Sequence, residues 1–220
     1  MILEDILVDP ESKQKLRLNR GTGEILSLNA QKFIGKMEGK IPVILPKSIE
    51  SEFRESELHK RQNTTFDYVD HYQKDAQFFD YFQEIESQVI RDERERLNQK
   101  IITLIPQTAE KILDVGCGNR WLSKTIQKDS NHIISLDISL INTRKALINQ
   151  PHPNHSAIVA DVFHLPFVSE SIDVIVASEI IEHISQPEEF VKHLLYPLRK
   201  GGKLIITTPY NEVITQSLCI

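Results

Sequence analysis

A chain of 220 residues with 40% apolar and 26% charged side chains is long enough for one α/β domain and a smaller appendage, and its balance is that of a globular protein. A net charge of −5 with no long run of Lys or Arg argues against a nucleic-acid surface, which needs clustered cations for phosphate. Two cysteines, Cys117 and Cys219, exclude a disulfide framework, and no apolar run approaches the ~20 residues needed to cross a bilayer. The acidic start "MILEDILVDP" has neither the basic head nor the apolar core of a signal peptide, so a cytoplasmic location is expected.

Three zones follow one another. Residues 1–58 place Pro10, Gly21, Gly23, Gly35, Gly39, Pro42 and Pro46 between short apolar runs, "EILSL" and "IPVIL", which predicts a small β-rich module. No Cys or His precedes His59, so a zinc site of the usual Cys/His type is excluded from it. Residues 59–105 lack Gly and are dense in charges and aromatics. Phe78, Phe79, Tyr81, Phe82, Ile85 and Val89 suit one or two amphipathic connecting helices, which would bring Tyr68, His71 or Tyr72 to the substrate if they cover the site.

Residues 106–220 then alternate strand and helix. "KILDV" is a strand and "RWLSKTIQK" a short helix. "HIISLDI" is the next strand, followed by a helix "SLINTRKALINQ" capped by Ser139. "SAIVADV" and "IDVIVAS" are strands, "PEEFVKHLLYPLRK" a helix with proline at its start, and "KLIITTP" a fifth strand. Such alternation predicts a mainly parallel, Rossmann-like α/β sheet with helices on both faces. Eleven residues, "YNEVITQSLCI", follow the fifth strand. They are too few for a further helix and strand pair, so the sheet is expected to lack its last strands. Its open edge would then suit a second copy or a partner subunit.

In these sheets ligands bind beyond the carboxyl ends of the strands. Gly116 and Gly118, just past the first strand, let the backbone turn tightly and approach a ligand. Asp137 ends the second strand, where a carboxylate can take both hydroxyls of a ribose. Asp161 ends the third, where it can accept from an adenine amino group, with Ile138 and Val162 on either side of the ring. A dinucleotide site would put a third glycine at Trp121 and would not want Asp114 beside a pyrophosphate. S-adenosylmethionine, which has no phosphate and carries a sulfonium and an ammonium, fits an acidic loop better.

The segments "ILDVGCGNRWLS", "IISLDIS", "ADVFHLPFVSESIDVIVASEIIEHI" and "LRKGGKLIITTP" together resemble the class I S-adenosylmethionine-dependent methyltransferases, in the right order over residues 110–209. The resemblance implies that Asp114, Gly116, Cys117 and Gly118 form the methionine-side loop. It also implies that Asp137 takes the ribose, that Asp161 with Val162 takes the adenine beside Ile138, and that Ser178 lines the pocket. Arg120 departs from the frequent D-x-G-x-G-x-G form, which implies altered affinity and not loss of binding.

Immediately after the fourth strand, "SEIIEHI" offers Glu182 and His183 as candidate catalytic groups, with His164 a weaker one. If that segment turns helically, Glu179 and Glu182 share a face beside His183, and the three can hold Mg²⁺. E-x-x-E-H at this place resembles the metal site of ubiquinone-pathway O-methyltransferases and small-RNA 2′-O-methyltransferases. The expected function is methyl transfer to a small-molecule acceptor, with oxygen favoured. A non-catalytic adenosylmethionine-binding or partner-docking protein is the alternative, and an NAD-dependent dehydrogenase a distant third. "ILEDILVDPESKQKLRL" with "EGKIPVILP" resembles a zinc-ribbon-like module that precedes some methyltransferases. Asp9, Pro10, Glu11 and Ser12 stand where that family can carry C-P-x-C, which implies that the metal is lost.

Overall fold

The computed structural model describes residues 2–19, 21–29, 31–45, 72, 76, 87–118 and 120–210. Tyr72 and Ala76 are helical. Tyr68, His71, the stripe from Phe78 to Ile85, and Cys219 lie outside the described residues.

A short helix α1 (Ile2–Ile6) leads into an antiparallel meander of β1 (Leu16–Leu18), β2 (Glu24–Ser27), β3 (Phe33–Glu38) and β4 (Ile41–Ile44). Helix α2 (Gln88–Leu104) precedes β5 (Lys111–Val115), α3 (Trp121–Ile126) and β6 (His132–Asp137). Helix α4 (Leu140–Asn149), β7 (His155–Ala160), β8 (Ile172–Ser178), α5 (Pro187–Leu195) and β9 (Leu198–Thr207) complete the order. The nine strands form one sheet, β1-β2-β3-β4-β7-β6-β5-β8-β9, parallel from β4 to β9.

Strands β5 to β8 are buried along almost their whole length, because helices cover both faces. Side chains alternate across each strand with period two. On β5, Leu113 and Val115 face a core built with α1, α5 and the 165–167 segment, including fully buried Phe167 and Phe190. Ile112 faces the other side, with Ile101 of α2 and Leu122 of α3. Ala157 and Val159 of β7 meet Leu140 and Leu147 of α4 on that same side. Val89, assigned by its spacing to an apolar stripe, is instead exposed on α2.

The amino-terminal meander is continuous with the parallel sheet. Val43 and Ile44 of β4 pair with Val159 and Ala160 of β7. The chain around α1 is stitched down as well: Val8 N–H donates to Pro166 O at 2.9 Å and Val168 N–H to Ile6 O at 2.9 Å. The turn "DPES" closes on itself, with Asp9 accepting from Glu11 N–H at 3.0 Å and from Ser12 Oγ–H at 2.6 Å.

Two elements end differently from their sequence reading. The helix expected to run through Lys200 stops at Leu195. Pro197 has no N–H to donate and its ring opposes the preceding turn, so Leu198 already begins β9 and pairs with Ile172. Gly201, at φ +75°, sits within the register shift that follows. The helix read from Arg120 begins at Trp121, and Arg120 itself is left-handed at φ 58° and ψ 20°. Among the described residues β9 is an edge strand. No described helix is long and apolar enough to cross a membrane.

Candidate active site

The carboxyl ends of β5, β6, β7 and β8 bring most of the sequence-predicted residues to one rim. β5 ends in Asp114 and Val115 and turns at Gly116, whose φ of +65° favours a residue without Cβ. A Cβ built there would also lie against the Ile180 side chain, which arrives from the end of β8. Gly118 follows at φ +35°. At the place of the third glycine of the familiar pattern, Arg120 adopts the left-handed conformation that glycine enters without strain. The glycine preference there is thus conformational, and arginine satisfies it at a cost of about 1 kcal/mol. Trp121, at the third-glycine position of a dinucleotide loop, opens α3 and packs against the core beside Leu122.

Asp114 is 3% exposed and its Oδ2 has no hydrogen-bond partner. Burial, then the charge of Asp137, raises its carboxyl to about 8. Asp137 is better supplied. It accepts from Ser139 N–H at 2.8 Å and from Asn142 Nδ2–H at 3.4 Å. Burial nonetheless lifts it to about 6. Ser139 caps α4 as expected, accepting from Asn142 N–H at 3.4 Å. Cys117 is buried, its N–H bonded to Leu136 O at 3.0 Å. Burial pushes its thiol well up, with the two carboxylates adding to the shift. Ile138 and Val162 are half-buried on neighbouring strand ends.

Asp161 is 1% exposed and holds its own turn, accepting from Phe163 N–H at 3.2 Å. Its Oδ2 also lies 2.7 Å from His164 Nδ1. The D-x-x-H spacing that carries this pair was visible in the sequence. Its meaning was not, because spacing alone does not show that the two side chains meet. Ile180 over Gly116 had no sequence signal beyond its apolar type.

The "SEIIEHI" segment departs from the helical turn expected of it. Glu179 stands outside the 3₁₀ turn Ile181–His183, at φ 56°, and its N–H donates to Thr207 O at 3.1 Å. Its carboxylate accepts from Thr207 Oγ–H at 2.9 Å. Because that hydroxyl is spent on Glu179, Ser178 Oγ–H donates to Thr207 Oγ1, also at 2.9 Å. Glu182 accepts from Thr208 Oγ–H at 3.4 Å, and His183 is exposed on the turn. Glu179 and Glu182 are therefore tied to separate threonines, Thr207 at the end of β9 and Thr208 just past it, not aligned with His183 on one face. Among the described residues no three His, Cys, Asp or Glu side chains are gathered so as to hold a metal ion. The residues present do not fit Mg²⁺ as arranged.

The rim fits a cationic, phosphate-free adenosyl ligand. It presents two buried carboxylates, one with an unpartnered oxygen, a turn that admits close approach, and two half-buried apolar side chains, Ile138 and Val162, at neighbouring strand ends.

Residues 113–206 match the family model described as a methyltransferase domain. A probable S-adenosylmethionine-dependent methyltransferase of Mycobacterium tuberculosis is 29% identical over 102 residues, 46% of this chain and 36% of that protein. A ubiquinone biosynthesis O-methyltransferase of Coxiella burnetii is 30% identical over 99 residues, 44% of this chain and 42% of that protein. The chain thus matches well under half the length of these curated relatives. The PH0226 protein from Pyrococcus horikoshii has a crystal structure similar to this one, with a TM-score of 0.50 and 22% identity over 60% of this chain and 64% of that one. The fold is the Rossmann-like α/β fold typical of class I methyltransferases.

Proposed function

We propose that this protein is an S-adenosylmethionine-dependent methyltransferase acting on a small-molecule acceptor, with oxygen favoured as the receiving atom. The observation that carries the reading is the buried Asp114 Oδ2, unpartnered beside the Gly116 turn and next to Asp137. A buried carboxylate oxygen without a donor is costly in a protein and is satisfied by a cation that arrives from outside. It repels the pyrophosphate of a dinucleotide.

In this reading Asp114 and the Gly116–Gly118 backbone, with Cys117, hold the methionine end of the ligand. Asp137 holds the ribose hydroxyls, Ile138 and Val162 flank the adenine, Asp161 faces its amino edge, and Ser178 lines the methyl end. When bound, the cofactor supplies a methyl group on positively charged sulfur, already activated toward displacement. The chain's task is then alignment and proton removal. Glu182 and His183, on the turn after β8, stand where an acceptor hydroxyl is oriented and its proton received. The name of the Coxiella burnetii relative, an O-methyltransferase, supports an oxygen acceptor.

We extend the proposal to residues 1–58 as a small module resembling a zinc ribbon without its metal, in which the Asp9–Ser12 turn is held by hydrogen bonds to the Asp9 carboxylate. The proposed division continues with a connecting segment over 59–105, which contains α2, and the cofactor-binding domain over 106–220. The β9 edge suits pairing with a second copy or a partner subunit.

The test is calorimetric titration of wild type and Asp137→Ala with S-adenosylmethionine, using NAD as the control. Loss of the ribose hydrogen bonds should weaken binding by on the order of 1.5–3 kcal/mol, roughly ten- to a hundredfold. Unchanged affinity in the variant, or equal binding of NAD, would overturn the reading.

A further inference from the structure

We infer that His164 is a positioning residue for the cofactor's base: it holds the Asp161 carboxylate as an acceptor-only edge, so that the site takes a 6-amino purine and rejects a 6-oxo purine. The inference rests on the reading above that Asp161 faces the adenine amino edge, and adds what fixes that carboxylate and what it selects.

The turn 161–164 closes on itself. His164 N–H donates to Asp161 O at 3.0 Å and Phe163 N–H to Asp161 Oδ1 at 3.2 Å. His164 Nδ1 lies 2.7 Å from Asp161 Oδ2. A carboxylate oxygen only accepts, so Nδ1 carries the hydrogen of that bond, whose length is in the charge-assisted range. Asp161 is 1% exposed, whereas the His164 side chain is 26% exposed. The imidazole thus supplies a donor where water reaches poorly. Unlike Asp114, Asp161 is neither short of donors nor free to turn.

The chain that carries His164 is itself anchored. Val8 N–H donates to Pro166 O and Val168 N–H to Ile6 O, both at 2.9 Å, and Leu7 and Phe167 are antiparallel bridge partners. Phe167 is fully buried, and the Phe163 ring meets His193 of α5 edge-to-face with centroids 5.9 Å apart. The carboxylate is therefore ordered before a ligand arrives, and binding does not bear the cost of ordering it.

Selection follows from lone pairs. A carboxylate has about four acceptor sites, and the bonds from Phe163 and His164 leave roughly half of them open. Those sites can take an amino hydrogen and have nothing to give. Adenine presents such a hydrogen at its 6-position. A 6-oxo purine presents a carbonyl oxygen there instead, acceptor against acceptor, and in a buried site that mismatch leaves polar groups unpaired. Without the Nδ1–H donor the carboxylate is free to rotate off the base, and the preference shrinks.

The experiment is calorimetric titration of the full chain and its His164 variants with S-adenosylhomocysteine and with S-inosylhomocysteine, whose purine carries an oxo group in place of the amino group. Wild type should bind the adenosyl ligand the more tightly. His164→Gln sets its donor one bond farther from the backbone, out of the place of Nδ1. It should weaken the adenosyl ligand roughly tenfold and leave the inosyl ligand nearly unchanged. His164→Asn, whose Nδ2–H stands where Nδ1–H stood, should restore the preference. His164→Ala provides the second variant if His164→Gln does not fold. A residue that only packed the turn would weaken both ligands alike. That result, or no rescue by asparagine, overturns the inference and leaves the cofactor assignment standing. Equal binding of both ligands by wild type overturns the placing of Asp161 at the amino edge together with the inference. Binding of neither overturns the cofactor assignment as well.

Discussion

At the amino-terminal rim of the sheet, Asp173 opens β8 at 8% exposure and is fully supplied. Its Oδ2 takes the N–H groups of Glu110 and Lys111 at 2.7 and 2.8 Å, and its Oδ1 takes Arg199 at 2.8 Å. At the carboxyl-terminal rim, only a strand's length away, Asp114 is as deeply buried and its Oδ2 has no donor. One carboxylate ties β5, β8 and β9 together, while the other is left wanting a partner. The same residue type at the same depth thus serves structure at one end and ligand recognition at the other. Hydrogen-bond supply distinguishes them, where burial does not.

That contrast breaks first with pH. Asp114 has a folded pKa of about 8 against an unfolded value of 3.8, so the folded state holds its proton over a range where the unfolded chain has lost it. The Asp114 contribution to stability of the cofactor-free protein therefore falls as pH rises toward 8, at about 1.4 kcal/mol per pH unit for one proton, while His132, held down to about 4 by burial, contributes the opposite slope up to about pH 6.5. Chemical denaturation between pH 6.5 and pH 8, above the range where His132 and Asp137 titrate, should show this decline in wild type and its disappearance in Asp114→Asn. A flat profile in wild type would mean that the upper rim is as well supplied as the lower.

The second break is Asp173→Ala. It leaves two part-buried N–H groups without an acceptor and should cost about 1–3 kcal/mol in denaturant unfolding. Affinity for the cofactor, measured on the folded fraction, should be unchanged, because the lower rim touches no ligand. The third is Gly116→Ala on the upper rim. A left-handed alanine costs about 1–2 kcal/mol, and its methyl must displace Ile180. Cofactor affinity should fall along with stability here, as it does not for Asp173→Ala.

The rims also differ in how far the sequence discloses them. The strands of the parallel sheet, the Ser139 cap and the placing of Asp114, Asp137 and Asp161 at strand ends follow from apolar runs alternating with helical spacing. Those are local signals. The Asp173 clamp joins residues over 60 positions apart, so no window of sequence contains it. The pairing of β4 with β7 is equally non-local and rests on two short strands. Glu179 was misplaced for another reason: a left-handed glutamate held by Thr207 is a tertiary outcome that propensity opposes. The same holds for Arg120. The end of α5, by contrast, was legible in Pro197, and the apolar spacing of "FVKHLLYPL" masked it.

The smallest effect sharpens the comparison most. Arg199 is the cation of the lower rim, yet its side chain is 46% exposed, so solvent screens its pairing with Asp173. Arg199→Ala should cost under about 1 kcal/mol, well below Asp173→Ala. The difference between the two variants measures what the backbone N–H groups of Glu110 and Lys111 contribute. A double variant should add little to Asp173→Ala, because the arginine then has no partner left to lose. If Arg199→Ala instead matched Asp173→Ala, the ion pair would be the clamp. The lower rim would then depend on a cation just as the upper rim does, its own being built into the chain where Asp114 must wait for one to bind.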